Sequence, residues 1–281
     1  MAMYCDLHTH SNFSDGTYSP AELIEAAKAL GLQAIALTDH NTVAGLPDFV
    51  AAGQGSGLEA VPGCEFSTDY RGTELHILGL YLTPAHYQTV TDLLAEAQRE
   101  KEKSNINLVA ALNAAGYELD YEAICATCNG QINRAHIAAA MVEKGYFADM
   151  QACFRGPLSA KHGFYRQPKR ISAYDCIRFI KSLGAVAVLA HPFLNLDEAA
   201  LLAFLPKAVE AGLDGMEVAY SKYSPETTAT AVAVADAFGL CYAGGSDFHG
   251  GNKPEIQLGT GRGDLRIPLN WLDALKRRRN V

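Results

Sequence analysis

The sequence predicts an α/β protein whose parallel sheet, open or closed into a barrel, is interrupted by a helical insertion. Short apolar runs of strand length alternate with helical patterns over the first hundred residues and again after residue 170. Residues 98–170, between them, read as helical, with no strand pattern. Histidines and carboxylates recur just after the strand-like runs, where such sheets place their sites.

Tyr4–Leu7 is the first strand, and Ser19-Pro20-Ala21-Glu22 opens the first helix. Serine suits the N-cap, proline the first helical position and Glu22 the returning bond of a capping box. The helix runs to Leu30 and stops at Gly31, a residue that enters the left-handed conformation without strain. Strands follow at Ala34–Leu37, Leu58–Val61 and Leu75–Tyr81, with Pro62-Gly63 as a turn. The texture changes near Pro84: residues 87–115 form a long helical pattern, Gly116-Tyr117 breaks it, and a further helix lies near Asn133–Lys144. Alternation resumes with helices at Ala173–Leu183, Asp197–Ala211 and Pro225–Phe238, and strands at Val186–Ala190, Gly215–Ala219 and Cys241–Gly245. About seven strands joined by crossover helices result. The β/α body takes residues 1–97 and 171–281, and residues 98–170 form the helical insertion.

The chain has 281 residues, 49% hydrophobic and 19% charged, enough apolar material for a sizeable core. Its longest apolar runs, such as Ala185–Ala190, are too short to cross a bilayer, and no signal-peptide pattern opens the sequence. The expectation is a cytoplasmic protein with no membrane partner. Seven scattered cysteines fit that compartment; Cys125 and Cys128 form a C-x-x-C with no second pair, and read as two thiols on one helical turn. Net charge is −8, which argues against a stable nucleic-acid complex. Residues 98–170, however, hold ten Lys and Arg against seven Asp and Glu, leaving −11 for the rest. An acidic body with one basic lobe suits a small anionic ligand or the end of a strand. Lys276-Arg277-Arg278-Arg279 reads as the end of a solvated helix, its cations complementing the dipole. Nothing in the sequence sets the oligomeric state.

The metal-type side chains carry the chemistry. His8 and His10 end the first strand in Asp-Leu-His-Thr-His, and Asp15 follows in the next loop. His40 ends the second strand, Glu65 follows Pro62-Gly63, and His76 lies in Thr-Glu-Leu-His. His191 ends a strand in Ala-His-Pro; Asp247 and His249 end the last in Gly-Ser-Asp-Phe-His. Six of nine histidines thus fall at expected strand ends, and a His-x-His pair shares one face of a strand. His86, His136 and His162 lie outside the pattern and read as ordinary structural residues. Imidazole and carboxylate donors suit manganese, iron or zinc. Divalent ions in such a cluster would leave a positive hole matched to phosphate, with attack by a hydroxide bridging two metals. Asp39 reads as a partner that orients an imidazole from behind rather than as a ligand.

Asp-Leu-His-Thr-His-Ser, Asp15-Gly16-Thr17, Thr38-Asp39-His40-Asn41-Thr42, Gly63-Cys64-Glu65, Ala190-His191-Pro192 and Gly245-Ser246-Asp247-Phe248-His249 together resemble the PHP (polymerase and histidinol phosphatase) superfamily. The resemblance implies a distorted seven-stranded (β/α)7 TIM-like barrel holding two or three divalent ions. It implies one ion on His8, His10, Glu65 and Asp247, a second on Glu65, His76 and His191, and a third on Asp15, His40 and His249. Gln131-Ile132-Asn133-Arg134-Ala135-His136, Val142–Tyr146 and the Gly163–Arg166 region resemble one branch, whose helical lobe covers the barrel. Members of that branch act on nucleoside 3′,5′-bisphosphates and on short RNA from its 5′ end. A small phosphorylated substrate, a nucleotide or short RNA end, is the implied partner. Arg134 is the leading phosphate contact, because a guanidinium matches phosphate oxygens in a planar, two-pronged way. Lys161, His162, Tyr165 and Arg166 are further candidates, and Phe193 and Tyr220 could stack on a base. The competing readings are a phosphatase of another metabolite, such as histidinol phosphate, and a non-catalytic metal-binding or polymerase-associated module.

Overall fold

In the computed structural model, residues 3–127, 132–166 and 168–279 are described. Cys128 and Gln131 lie outside them. The chain divides into two compact units, one running up to Thr91 and again from Ile171, the other Asp92–Arg170.

The first unit carries strands β1 (Tyr4–Thr9), β2 (Ala34–Leu37), β3 (Glu59–Tyr70), β4 (Thr73–Leu80), β5 (Val186–Leu189), β6 (Gly215–Tyr220), β7 (Cys241–Gly245) and β8 (Ile267–Pro268). They form one sheet in the order β7-β6-β5-β4-β3-β2-β1-β8. Its open side nearly closes through the exit of β7: Asp247 N–H donates to His8 O and His10 N–H to Phe248 O, both at 2.9 Å. Gly245 makes this approach possible, since a Cβ there would lie 2.5 Å from His8 N. The barrel-like α/β architecture expected from the sequence is therefore present, with differences that bear on the site.

The sheet is mixed. β3 and β4 form an antiparallel hairpin, and β4 also pairs antiparallel with β5. The hairpin turns at Arg71-Gly72, both at positive φ (53° and 83°), the geometry of a two-residue turn that follows the twist of the strands. Pro62-Gly63 is not a turn; β3 runs through it without interruption. His76 consequently sits within an antiparallel strand rather than at the C-terminal end of a parallel one. The two-residue β8, which sequence patterning does not reveal, adds an eighth strand antiparallel to β1.

Alternate strand residues fill the interior, among them Cys5, Leu7, Ala34, Ala36, Leu78, Leu80, Val186 and Val188, joined by Leu272 and Leu275 of a terminal helix at Leu269–Lys276. A bulge in β1 between Asp6 and Thr9 breaks the alternation, a device that re-aims side chains. It lets His8 and His10 reach the site above an interior occupied by Cys5 and Leu7.

Helix α1 (Pro20–Ala29) has the expected capping box of Ser19 and Glu22, and Gly31 takes φ 72°. Helix α2 (Leu46–Gly53) was not evident in the sequence. The second unit holds most of α3 (Tyr87–Ala114), with α4 (Tyr121–Ala126), α5 (Arg134–Glu143) and α6 (Met150–Arg155), around Leu108, Leu112, Ile137, Met141 and Leu158. Asn105, buried in this core, donates its side-chain amide to Ile132 O at 3.0 Å. His136 closes the Asn133 capping box at the start of α5, and His86 caps a short 3-10 turn, so both serve structure.

Candidate metal centre

The nine metal-type residues converge in the first unit. Glu65, fully buried on β3, is their hub. Its Oε1 lies 2.6 Å from His76 Nδ1 and 3.0 Å from His191 Nε2. Its Oε2 lies 3.0 Å from His40 Nδ1, 3.2 Å from His8 Nε2 and 3.3 Å from His10 Nε2. One carboxylate thus faces five imidazoles and divides them between its two oxygens. Asp15, on the loop after β1, places Oδ1 3.2 Å from His249 Nε2 and 3.8 Å from His10 Nδ1, with Oδ2 3.9 Å from His40 Nε2. Asp247 Oδ1 lies 3.2 Å from His10 Nε2.

Ligand-type atoms gather into four overlapping groups: His10, Asp15, His40 and His249; His8, Glu65 and His191; His8, His10 and Asp247; His40, Glu65 and His76. Their hydrogen bonding is incomplete in a telling way. Among the described residues, buried His8 Nε2, both ring nitrogens of His10, His249 Nε2 and Glu65 Oε2 have no hydrogen-bond partner. A buried polar atom left unsatisfied costs about 1–3 kcal/mol, and divalent cations would satisfy these together. The donor set fits the metal ions.

The electrostatics agree. Burial opposes ionisation of Glu65, but the imidazoles of His40, His76 and His8 outweigh it and hold the carboxyl well below its ordinary range. Asp247 is also held well below, burial being outweighed by the adjacent imidazoles of His10 and His8. Burial pulls His10 down, yet the adjacent carboxylates of Asp247 and Glu65 lift it to about 9. His76, beside Glu65, is lifted against burial to about 10.

Other residues set the orientation of the cluster. Glu217, buried in β6, puts Oε1 3.0 Å from His8 Nδ1 and accepts the His191 N–H on Oε2 at 2.7 Å. With Nδ1–H donated to Glu217, the His8 lone pair is left on Nε2, toward Glu65. His249 Nδ1 lies 2.8 Å from Asp247 O, which likewise leaves Nε2 for the cluster. Asp6, fully buried, accepts from Ser246 N and Oγ at 2.8 and 2.6 Å and from Gly259 N at 2.8 Å, tying β1 to the exit of β7. His191 and Asp247 hold positive φ, 28° and 57°, a backbone cost that side chains rarely accept away from functional sites.

Two sequence expectations need correction here. Among the described residues Asp39 orients no imidazole: it accepts from Ser11 N, Ser11 Oγ and Ser14 Oγ at 2.6–2.7 Å. It therefore fixes the loop leading to Asp15. Tyr220 is 3% exposed, and its hydroxyl donates to Asp247 Oδ2 at 2.8 Å, so its ring is not open for stacking on a base. Glu217 and Asp6 escaped sequence reasoning; the available signal was a carboxylate inside an otherwise apolar strand, as in Gly-Met-Glu-Val-Ala-Tyr. Phe193 is half-buried, edge-on to Tyr223 at 5.9 Å.

The remaining candidates lie in the second unit. The Arg134 guanidinium stacks 4.0 Å from the centre of the buried Tyr165 ring, and Lys161, His162 and Arg166 are exposed.

Comparison with known proteins supplies the family. The PHP domain family matches residues 6–165. A 5′-3′ exoribonuclease of Haemophilus influenzae is 31% identical over 245 residues, 87% of this chain and 89% of the relative. A 3′,5′-nucleoside bisphosphate phosphatase of Chromobacterium violaceum is 31% identical over 247 residues, 87% and 86% of the two chains. A solved structure from Bifidobacterium adolescentis, assigned as a metal-dependent phosphoesterase, superposes with a TM-score of 0.82 at 27% identity, covering 100% of this chain and 98% of the other. With a family match over more than half its length and relatives this similar along nearly all of it, the chain belongs to the PHP family.

Proposed function

We propose that the chain is a metal-dependent phosphoesterase hydrolysing a phosphate ester of a small nucleotide, of the nucleoside 3′,5′-bisphosphate or RNA 5′-end type. The observation that carries this is Glu65, whose two oxygens each face separate sets of imidazoles, as a carboxylate shared between two cations must. His8, His10, Glu65 and Asp247 would hold one ion, Glu65 with His76 and His191 a second, and Asp15, His40 and His249 a third. Manganese, iron and zinc all suit these donors. The ions, when bound, polarise the phosphoryl oxygens and lower the pKa of water at neutral pH. The chain's own residues prepare that chemistry. Glu217 holds the rings of His8 and, through the backbone, His191 in register; Asp39 steadies the loop bearing Asp15; Tyr220 turns Asp247. Such fixed orientation is what phosphoryl transfer demands, because little other chemistry is left for the protein.

The helical unit would act as the substrate lid, with Arg134 on the phosphate and Lys161, His162, Tyr165 and Arg166 near it. The Tyr165 ring supports this for Arg134, since stacking fixes the plane of the guanidinium, whose Nη1 also donates to Leu158 O at 3.4 Å. One observation favours an RNA end over a lone mononucleotide. Within that unit, a groove of about 380 Å³ is lined by Lys103, Arg166, Lys169 and Phe164, with Glu100 4.0 Å from Lys103; the excess of cations beside an aromatic ring is of the kind that tracks single strands.

The test is phosphate release, with manganese present, from adenosine 3′,5′-bisphosphate, histidinol phosphate and 5′-AMP. Release from the bisphosphate alone supports the reading. Equal slow release from all three leaves a phosphoesterase of another metabolite, and no release from any leaves a non-catalytic metal-binding module.

A further inference from the structure

We propose that Lys253 is a positioning residue of the metal centre: with Tyr220 it captures one oxygen of Asp247, leaving the other as a single-oxygen metal ligand. The two oxygens have different surroundings. Oδ1 faces imidazoles, 3.2 Å from His10 Nε2, 3.5 Å from His249 Nδ1 and 3.8 Å from His8 Nε2. Oδ2 turns away from them and accepts from the Tyr220 hydroxyl at 2.8 Å and the Lys253 ammonium at 3.0 Å. A free carboxylate can chelate a cation with one oxygen or with both. Two donors on Oδ2, one of them charged, hold it to the first mode. The backbone of Asp247, at φ 57°, is held through its N–H, which donates to His8 O at 2.9 Å, while Lys253 acts on the carboxylate.

Lys253 is itself fixed. It follows the 3-10 turn Gly250–Asn252, its N–H donating to Gly250 O at 3.2 Å and its carbonyl accepting from Ile256 N at 2.9 Å. Gly251 N–H donates to Thr17 Oγ1 at 2.8 Å, and the Asn252 side chain to Asp15 O at 2.9 Å. The turn that aims the ammonium is thus tied to the loop that carries Asp15. Lys253 links the segments bearing two ligand carboxylates, so a change there should be felt in metal binding before it is felt in substrate binding.

The inference rests on the cluster being a metal centre, and its test reads metal affinity apart from turnover. Metal-stripped full-length protein is titrated with manganese by calorimetry, and phosphate-ester hydrolysis is followed separately. Lys253→Met should bind one ion about tenfold more weakly, the usual scale for losing a partner behind a ligand, and the others as before. Lys253→Arg should recover most of that loss, and carries the test should the Met variant fail to fold. Tyr220→Phe should weaken the same ion, and the double variant should depart from additivity, because both donors act on one oxygen. Wild-type affinity for every ion in Lys253→Met overturns the proposal. So does a raised KM with unchanged metal affinity, which would mean that Lys253 touches substrate. Weakened affinity in a protein whose wild type hydrolyses no phosphate ester upholds the positioning role and sinks the proposed activity instead.

Discussion

Glu217 Oε1 lies 3.0 Å from His8 Nδ1, with both side chains fully buried, while its other oxygen takes the His191 N–H. One carboxylate therefore sets two members of the cluster. Glu217→Gln keeps the shape but can offer an N–H to His8, which favours the tautomer with its proton on Nε2. Metal affinity or turnover should fall roughly 10–100-fold. Metal titration beside steady-state kinetics measures this; an unchanged affinity and rate would show that the ring is held otherwise.

Glu65→Ala should do more. Removing the buried hub leaves imidazoles facing one another without a counter-charge, a change that typically costs about 3–5 kcal/mol. Metal-stripped protein should lose that much in urea unfolding, and the metal-loaded variant should be inactive. A variant as stable and active as wild type would remove Glu65 from the centre.

The pH dependence follows from His10 and His76. In the metal-free fold they are lifted to about 9 and about 10, against roughly 6.5 in an unfolded chain. Their stabilising contribution is fully present below about pH 6.5 and is lost as pH rises through the folded values. Melting temperature of metal-stripped protein should therefore fall between pH 7 and 10. Because ligands must be deprotonated, metal uptake at pH 7 should also release protons, seen as a buffer-dependent heat. A metal-stripped melting temperature that climbs over this range would contradict the assignment.

Arg134→Ala should act on substrate and spare the metals. Hydrogen bonds to charged groups are worth about 1.5–3 kcal/mol, so kcat/KM for adenosine 3′,5′-bisphosphate should fall about 10–100-fold with metal content unchanged. Equal loss of metal would assign the residue to structure.

Asp39→Ala should loosen the Ser11–Ser14 segment, leaving three donors without their acceptor. Expected is weaker binding of the ion held by Asp15, read by titration, with an unaltered far-ultraviolet spectrum.

Sequence and structure agree where local rules decide. Ala34–Leu37 and Cys241–Gly245 are strands in both readings, and Ser19, Glu22 and Gly31 delimit α1 as their chemistry requires. The nine metal-type residues are conspicuous because few residue types bind such ions and most of them follow strand-like runs, although Glu65 and His76 lie inside β3 and β4. What escaped depends on three-dimensional context. The direction of β4 turns on Arg71-Gly72, which in sequence is one polar pair among several, while Pro62-Gly63 resembles a turn and is not one. Asp39 precedes His40 in sequence, yet adjacent residues in extended chain point to opposite sides, so it serves the Ser11–Ser14 loop. Glu217 is a lone charge in an apolar strand, and its purpose shows only once His8, far away in sequence, is seen against it. The six-residue helices Tyr121–Ala126 and Met150–Arg155 are too short to leave a period.

The most direct test of the central claim is a titration of chelator-stripped protein with manganese, counting bound ions while following phosphate release from adenosine 3′,5′-bisphosphate. The account expects no turnover without metal and activity that rises as a second ion fills the site shared through Glu65. Full activity in the stripped protein, or saturated metal binding with no phosphate released, would contradict it.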